Sequence, residues 1–167
     1  MILLPRLALT ALVLSAVTAS GEHGAPPGEP PKAPPADWRH FVHVRSVVVE
    51  EGHPLYAELG GLHEIYANRK ALPVLQAGAS AYPDGAVLVL DLHQVVRADH
   101  AVVPGSRRLL AVMVRNSVRY AATGGWGYQA WAGGDPAKPQ VTDMQGQCAV
   151  CHAQAAERGG VFSRWQD

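Results

Sequence analysis

The stretch AVLVLDLHQVV, residues 86–96, decides the fold predicted for this chain. Its first half is almost entirely aliphatic, and Gly85 stands directly before it. A short apolar run that is rich in valine and leucine and follows a turn residue favours a β-strand. We therefore expect a strand here, with further strands before and after it.

Four other segments repeat apolar and polar residues with the period of two that a strand requires. They are HFVHVRSVVVE (40–50), GLHEIYAN (61–68), LLAVMVRNS (109–117) and GWGYQAW (125–131). In the first of these, the alternation puts Phe41, His43, Arg45 and Val47 on one face. Glycine-containing turns at 80–85 and 122–125 leave short links, which favour antiparallel pairing. The predicted fold class is mainly β, an antiparallel five-stranded sheet with short helices.

Two segments have helical signals. Asn68 is a suitable N-cap for a short helix over 70–76, in which Pro73 is tolerated only in the first turn. Residues 143–157 are rich in alanine and glutamine, and Gly159 and Gly160 directly after them are typical of a helix C-cap. We expect the second helix to be the better formed of the two.

The first residues, MILLPRLALTALVLSAVTAS, have the layout of a secretory signal peptide, with one arginine, an apolar run and then small residues. The apolar run is shorter than the about 20 residues that a membrane-spanning anchor needs. We expect residues 1–19 to be a signal peptide cleaved near Ala19 and the mature protein to be periplasmic. The proline- and glycine-rich residues 20–36 are expected to be an extended linker, and residues 37–167 a single domain.

The charge balance argues against one class of partner. The chain has 14 Lys and Arg and 14 Asp and Glu, so its formal net charge is zero. No long-range field attracts it to nucleic acid. We therefore expect no nucleic-acid partner.

Only two cysteines are present, and both lie in QCAVCHA, residues 147–153. In a c-type haem site two such thiols form thioether bonds to the porphyrin, and the histidine that follows ligates the iron. A redox dithiol, half of a zinc site and chance are the alternatives. A thioredoxin-like dithiol belongs to a βαβ context, and zinc needs two more matched ligands, which the sequence does not offer. We predict one haem c, attached through Cys148 and Cys151, with His152 on the iron.

The second axial ligand is harder to find. The residues after His152 contain no Met, His or Cys. Met144 is too close to the haem motif to cross the porphyrin, and Met113 fits an apolar core position better than a ligand position. His43, His63 and His93 fall in predicted strands, where a histidine is more often a surface or hydrogen-bonded core residue. We expect an open, five-coordinate iron.

Several phrases together resemble the cytochrome P-460 and cytochrome c′-β family. They are GLHEIYAN (61–68), YPDGAVLVLDL (82–92), VMVRNSVRYAATGGWGYQAW (112–131), the haem motif and VFSRW (161–165). The resemblance implies an antiparallel sheet with a few helices, a homodimer, and a five-coordinate haem c with a proximal histidine. Its P-460 branch oxidises hydroxylamine with a lysine crosslinked to the haem and a distal glutamate. Its c′-β branch lacks the crosslink and binds small gases, notably nitric oxide.

Two departures separate the branches. In this chain Leu90 aligns with the crosslinking lysine and Ala111 with the glutamate, and no lysine occurs between Lys70 and Lys138. Leucine cannot form the crosslink, and alanine cannot move a proton. The sequence therefore favours a cytochrome that binds NO or CO as a buffer, scavenger or sensor. The alternatives are an enzyme that oxidises hydroxylamine or reduces peroxide or nitrogen oxides, and a six-coordinate electron carrier closed by His63 or Met113.

Other site residues are assigned by chemistry. Arg115 and Arg119 are candidates to pair with haem propionates, because guanidinium matches a carboxylate in a bidentate way; solvated surface arginines are the alternative. Candidates for an apolar distal wall, which would favour neutral diatomic ligands, are Phe41, Leu88, Leu90, Ala111 and Met113. Trp126, Tyr128 and Trp131 are interpreted as packing or dimer-interface residues. No redox partner and no catalytic residue are identified.

Overall fold

The computed structural model describes residues 28–166. The predicted signal peptide and residues 20–27 of the predicted linker lie outside the described residues. Residues 28–36 contain no helix or strand, and the guanidinium of Arg119 donates a hydrogen bond to the Glu29 carbonyl at 3.3 Å. Within the described part of the chain, no helix has both the length and the apolar composition needed to cross a membrane.

One antiparallel sheet of five strands dominates the structure, and the strands follow one another in chain order. The strands are β1 (Val42–Val49), β2 (Gly61–Ala67), β3 (Val87–Ala98), β4 (Ala101–Arg115) and β5 (Trp126–Ala132). Short helices connect or flank them: α1 (Tyr56–Leu59), α2 (Leu72–Gln76), α3 (Val150–His152) and 3-10 turns at Trp38–His40, Ala121–Thr123 and Ala153–Arg158. The predicted fold class is confirmed.

The central strand β3 is covered on both faces. Leu88 belongs to a core cluster, named here the helix-side core, that also contains Tyr128 and residues of the C-terminal helical segment. Val87 and Val89 belong to a second cluster, the back core. The back core consists of Trp38, Val87, Val89, Leu110, Val112 and Trp131. A strand that is buried on both faces is typically a continuous run of apolar residues, as residues 86–90 are.

The β3–β4 hairpin is longer than the sequence predicted. The two strands continue to a tight turn at Asp99 and His100, which both have positive φ, of 51° and 60°. Two residues with positive φ are typical of a type I′ hairpin turn. The extension was not predicted from the sequence, because Pro104 and Gly105 interrupt the alternation of apolar and polar residues that indicates a strand. The strands accommodate these residues at register irregularities between Leu92 and Val95.

The predicted faces of β1 are wrong beyond His43. A bulge separates His43 from Arg45, so that His43 pairs with Tyr66 and Arg45 with Ile65. Tyr66 and Ile65 are adjacent and therefore point to opposite faces. His43 and Arg45 consequently lie on opposite sides of the sheet, because a bulge adds a residue to one strand and breaks the period of two.

Asn68 was predicted to cap a helix over 70–76, but α2 begins at Leu72 and its N-cap residue, Ala71, makes no side-chain cap. Asn68 instead ties the turn before α2 to the sheet. Its Oδ1 accepts hydrogen bonds from the amides of Lys70 (3.2 Å), Ala71 (3.0 Å) and Val87 (3.1 Å), and its Nδ2 donates to the Gly85 carbonyl (2.8 Å). One side chain thereby satisfies backbone groups of the turn before α2 and of the central strand.

Asn68→Ala is expected to lower the free energy of unfolding by about 2 kcal/mol, because it removes these hydrogen bonds and leaves partly buried backbone groups unpaired. Asn68→Asp keeps the acceptor oxygens and should lose less. Urea denaturation of the three proteins measures the difference. A loss below about 0.5 kcal/mol for the alanine variant, the range of ordinary surface changes, would contradict this role.

Candidate functional site

The C-terminal helical segment, residues 145–158, carries the two cysteines and His152. It begins with a π-helical turn at Gln145–Ala149, continues as α3 and ends as the 3-10 turn Ala153–Arg158. The predicted helix is therefore present, in three successive geometries. Single π turns within helices are frequent at functional sites, and this one contains Cys148.

The start of this segment is fixed by side chains. The Oε1 of Gln147 accepts hydrogen bonds from the amides of Thr142 and Asp143, both at 2.8 Å. The buried Met144 inserts into the helix-side core, and its sulfur accepts a hydrogen bond from the Tyr128 amide at 3.2 Å. Met144 thus anchors the segment to strand β5, which sets the position of the haem motif against the sheet.

His152 is held by one hydrogen bond and two aromatic rings. Its Nδ1 lies 2.7 Å from the Gly160 carbonyl oxygen, and its ring centroid lies 5.0 Å from that of Tyr128 and 5.3 Å from that of Phe162. A carbonyl only accepts, so Nδ1 carries the proton and Nε2 keeps its lone pair. Burial lowers the pKa of His152 despite the Gly160 carbonyl, so the imidazole is neutral at neutral pH.

Two glycines form the turn that presents this carbonyl. Gly159 and Gly160 both have positive φ, of 67° and 81°, and a Cβ on Gly159 would lie 2.1 Å from the Ser80 carbonyl oxygen. Only glycine fits such a position without strain. The buried Trp126 holds the turn from the sheet, because its Nε1 donates to the Gly159 carbonyl at 2.8 Å.

A cavity of about 370 Å³ lies beside His152. Its lining includes Trp126 and Tyr128 from β5, Ala149 from the helical segment, and Arg115. The lining combines aromatic side chains with polar and charged groups and includes neither cysteine. A mixed lining of this kind suits an amphipathic ligand.

The structure brings one of the two predicted arginines to this cavity. Arg115 donates from Nη1 to the Gly124 carbonyl at 2.5 Å, and its Nε is buried with no hydrogen-bond partner among residues 28–166. A buried unpaired N–H of a guanidinium calls for an acceptor, and a propionate is a suitable one. Arg119 is not part of the cavity lining; its guanidinium lies over the Tyr120 ring and bonds to Glu29.

The cysteines are free thiols and partly buried. Burial, with smaller contributions from Asp143 and Cys151, raises the pKa of Cys148 to about 11. A reactive dithiol of the thioredoxin type belongs to a βαβ unit with parallel strands, whereas all strand pairs of this sheet are antiparallel. The topology, together with the direction of the Cys148 pKa shift, disfavours that interpretation. Among the described residues, the one group of His, Cys, Asp and Glu side chains close enough to share a metal ion contains neither cysteine, which disfavours half of a zinc site.

Four of the five predicted distal residues lie together. Leu88 pairs with Met113, and Leu90 with Ala111, in the ladder between β3 and β4. Leu88 and Met113 belong to or pack against the helix-side core, and alternation puts the second pair on the same face. The structure places Phe41 elsewhere, because it packs against the back core.

Several residues around His152 were missed as site residues from sequence. Gly160, Phe162 and Tyr128 contact its ring or its Nδ1, yet only the double glycine carried a local signal, and that signal indicated a helix end. Arg45 was also missed. Its Nε is buried without a partner in the described part of the chain, and it pairs with Ile65, which pairs in turn with Leu90.

Comparison with known proteins confirms the resemblance found in the sequence. A family model described as Cytochrome P460 matches residues 35–163, a range that contains the whole sheet and the haem motif. No curated protein matches the chain significantly. The chain belongs to the Cytochrome P460 family, which indicates a haem c protein.

Proposed function

We propose that this protein is an exported cytochrome that carries one haem c on Cys148, Cys151 and His152 and binds NO or CO at a five-coordinate iron. The observation that carries the proposal is the hydrogen bond from His152 Nδ1 to the Gly160 carbonyl. This bond leaves Nε2 as the free donor, which is how ligating histidines are held in metal sites. The haem would supply the iron to which a diatomic gas binds.

The helix-side face of β3 and β4 supports gas binding over hydroxylamine oxidation. Leu90 and Ala111, at the positions that the resemblance assigns to the crosslinking lysine and the glutamate, are direct cross-strand partners. The two side chains therefore lie next to each other on the sheet, and both are apolar in this protein. Neither side chain can accept a proton from a substrate, whereas an apolar surface suits an uncharged diatomic ligand.

The two candidate sixth ligands already have other contacts. His63 is 9% exposed, and its Nε2 lies 2.5 Å from the Leu59 carbonyl oxygen. Burial lowers the pKa of His63, as expected for a neutral core histidine. Met113 packs against the helix-side core. These contacts favour a five-coordinate iron over a six-coordinate electron carrier.

The cellular setting is part of the proposal. Haem c attachment takes place outside the cytoplasm, so the predicted signal peptide over residues 1–19 agrees with the haem motif. We propose a periplasmic homodimer that buffers, scavenges or senses NO.

The haem-loaded protein, reduced with dithionite, is expected to bind NO and CO and to show no hydroxylamine oxidation above that of a free haem peptide, because Leu90 and Ala111 offer no proton acceptor. Absorbance titration with each gas and an assay of hydroxylamine with an artificial electron acceptor measure the two activities. Ala111→Glu restores a carboxylate and is the matched variant for the second assay. Hydroxylamine turnover by the wild-type protein would contradict the proposal.

Trp126→Phe is expected to raise the reduction potential of the haem. Loss of the hydrogen bond to Gly159 loosens the turn whose carbonyl holds His152 Nδ1, and a weaker bond makes the imidazole a poorer donor to ferric iron. Trp131→Phe is the control, because Trp131 Nε1 is buried and has no hydrogen-bond partner among the described residues. Redox titration of both variants measures the effect, and equal potentials would show that Trp126 does not position the ligand.

A further inference from the structure

A second group of ligating side chains lies on the face of the sheet opposite to the helix-side core. Glu64 and Asp91 are direct cross-strand partners between β2 and β3, and His93 follows Asp91 on the same face. One ligand atom from each of the three lies within 4.8 Å of the others. Asp91 is only 3% exposed, so this group is part of the packed sheet.

The hydrogen bonding of His93 turns its Nε2 towards Asp91. Nδ1 lies 2.9 Å from the Gly105 carbonyl oxygen and therefore donates to it. Nε2 lies 3.0 Å from Asp91 Oδ1. In the neutral tautomer that donates from Nδ1, two lone pairs would face each other at that distance. Either a proton or a metal ion must therefore lie between these two atoms.

Arg107 leaves room for such an ion. Its Nε donates to Asp91 Oδ1 at 2.5 Å and its Nη2 to Oδ2 at 2.9 Å. Each carboxylate oxygen has two acceptor positions, so Oδ1 keeps the one that faces His93 and Oδ2 keeps another. With neutral His93, the two carboxylates face Arg107 and, at the exposed rim of the cavity, Arg39; water screens the charge of the exposed Arg39. The Arg107 guanidinium thus orients Asp91, as hydrogen-bond donors commonly do for ligating carboxylates.

A cavity of about 240 Å³ gives access to the three side chains. Its lining is completed by Trp38, Arg39, Tyr66 and Arg107. Trp38 packs edge-on against Tyr66 with ring centroids 5.6 Å apart, and Arg39 lies over the Trp38 ring at 4.7 Å. The 3-10 turn at Trp38–His40 therefore covers the cluster and leaves space for water on an ion.

We propose that Glu64, Asp91 and His93 bind a divalent first-row transition ion such as Zn²⁺. One imidazole nitrogen and two carboxylate oxygens are a suitable donor set for this class of ion, and water would complete the coordination from the cavity. The site lies on the back face of the sheet and shares no residue with the cavity beside His152. It is independent of the proposed gas binding.

Calorimetric titration of the haem-loaded protein with Zn²⁺ tests the site. We expect one Zn²⁺ per chain, and binding weaker by about tenfold or more in Glu64→Gln and His93→Gln, since a neutral amide is a poorer ligand for this ion than a carboxylate or an imidazole. His100→Asn is the matched control, because it removes a surface histidine at a positive φ that asparagine tolerates. It should bind as the wild-type protein does.

Absence of Zn²⁺ binding by the wild-type protein would overturn the proposal. So would binding that neither Glu64→Gln nor His93→Gln weakens, because surface histidines would then be the ligands. Glu64→Gln retains both the Asp91–Arg107 pair and the size of the side chain, so it decides the question even if His93→Gln fails to fold. The haem spectrum of Glu64→Gln is expected to be unchanged. Loss of Zn²⁺ binding with an unchanged haem spectrum would show that the metal site and the haem site can be tested independently.

Discussion

The structure depends on the burial of β3 from both sides. A strand with apolar side chains on both faces requires a cover above and below the sheet, and each aliphatic side chain fully removed from water contributes about 1.5–3 kcal/mol. The turn at Trp38–His40 covers the back core, and the C-terminal helical segment covers the other face. The helical segment that carries the haem motif therefore also covers one apolar face of the central strand.

This dual role explains how a motif near the end of the chain acquires a fixed position. Met144 and Ala149 belong to the helix-side core, and Cys148 packs against it. His152 lies between them and the double-glycine turn, which Trp126 holds from β5. Packing fixes the helical segment, and the Gly160 carbonyl fixes the orientation of its histidine. The protein itself therefore orients His152, so that binding a haem does not have to order this side chain.

The sequence predicted the strands, their antiparallel order and both helices because each of these depends on local pattern. Residues 86–90 are apolar at successive positions, and Gly159 is a local cap signal. The bulge after His43 and the hairpin turn at Asp99 and His100 were missed because both depend on pairing with another strand. Phe41 lies on the back-core side, where His43 also contacts Tyr66, because the bulge separates these two residues from the face that Arg45 occupies.

Within the candidate site, residues that carry a chemical motif were predictable and residues that support them were not. Cys148, Cys151 and His152 form a motif with one dominant interpretation. Arg115 and Arg119 were equally good candidates for a propionate contact in the sequence. The structure distinguishes them, because Arg115 lines the cavity and Arg119 packs over the Tyr120 ring. The grouping of Glu64, Asp91 and His93 also depends on cross-strand register, which alternation alone does not provide.

The most direct test of the account is the absorption spectrum of the haem-loaded ferrous protein without added ligand. The account predicts a high-spin, five-coordinate spectrum of an unmodified haem c. A low-spin spectrum would show that a protein side chain occupies the sixth position. A red-shifted band of the P-460 type would show a crosslinked haem. Either result would contradict the proposal that this cytochrome keeps an open iron for small gases.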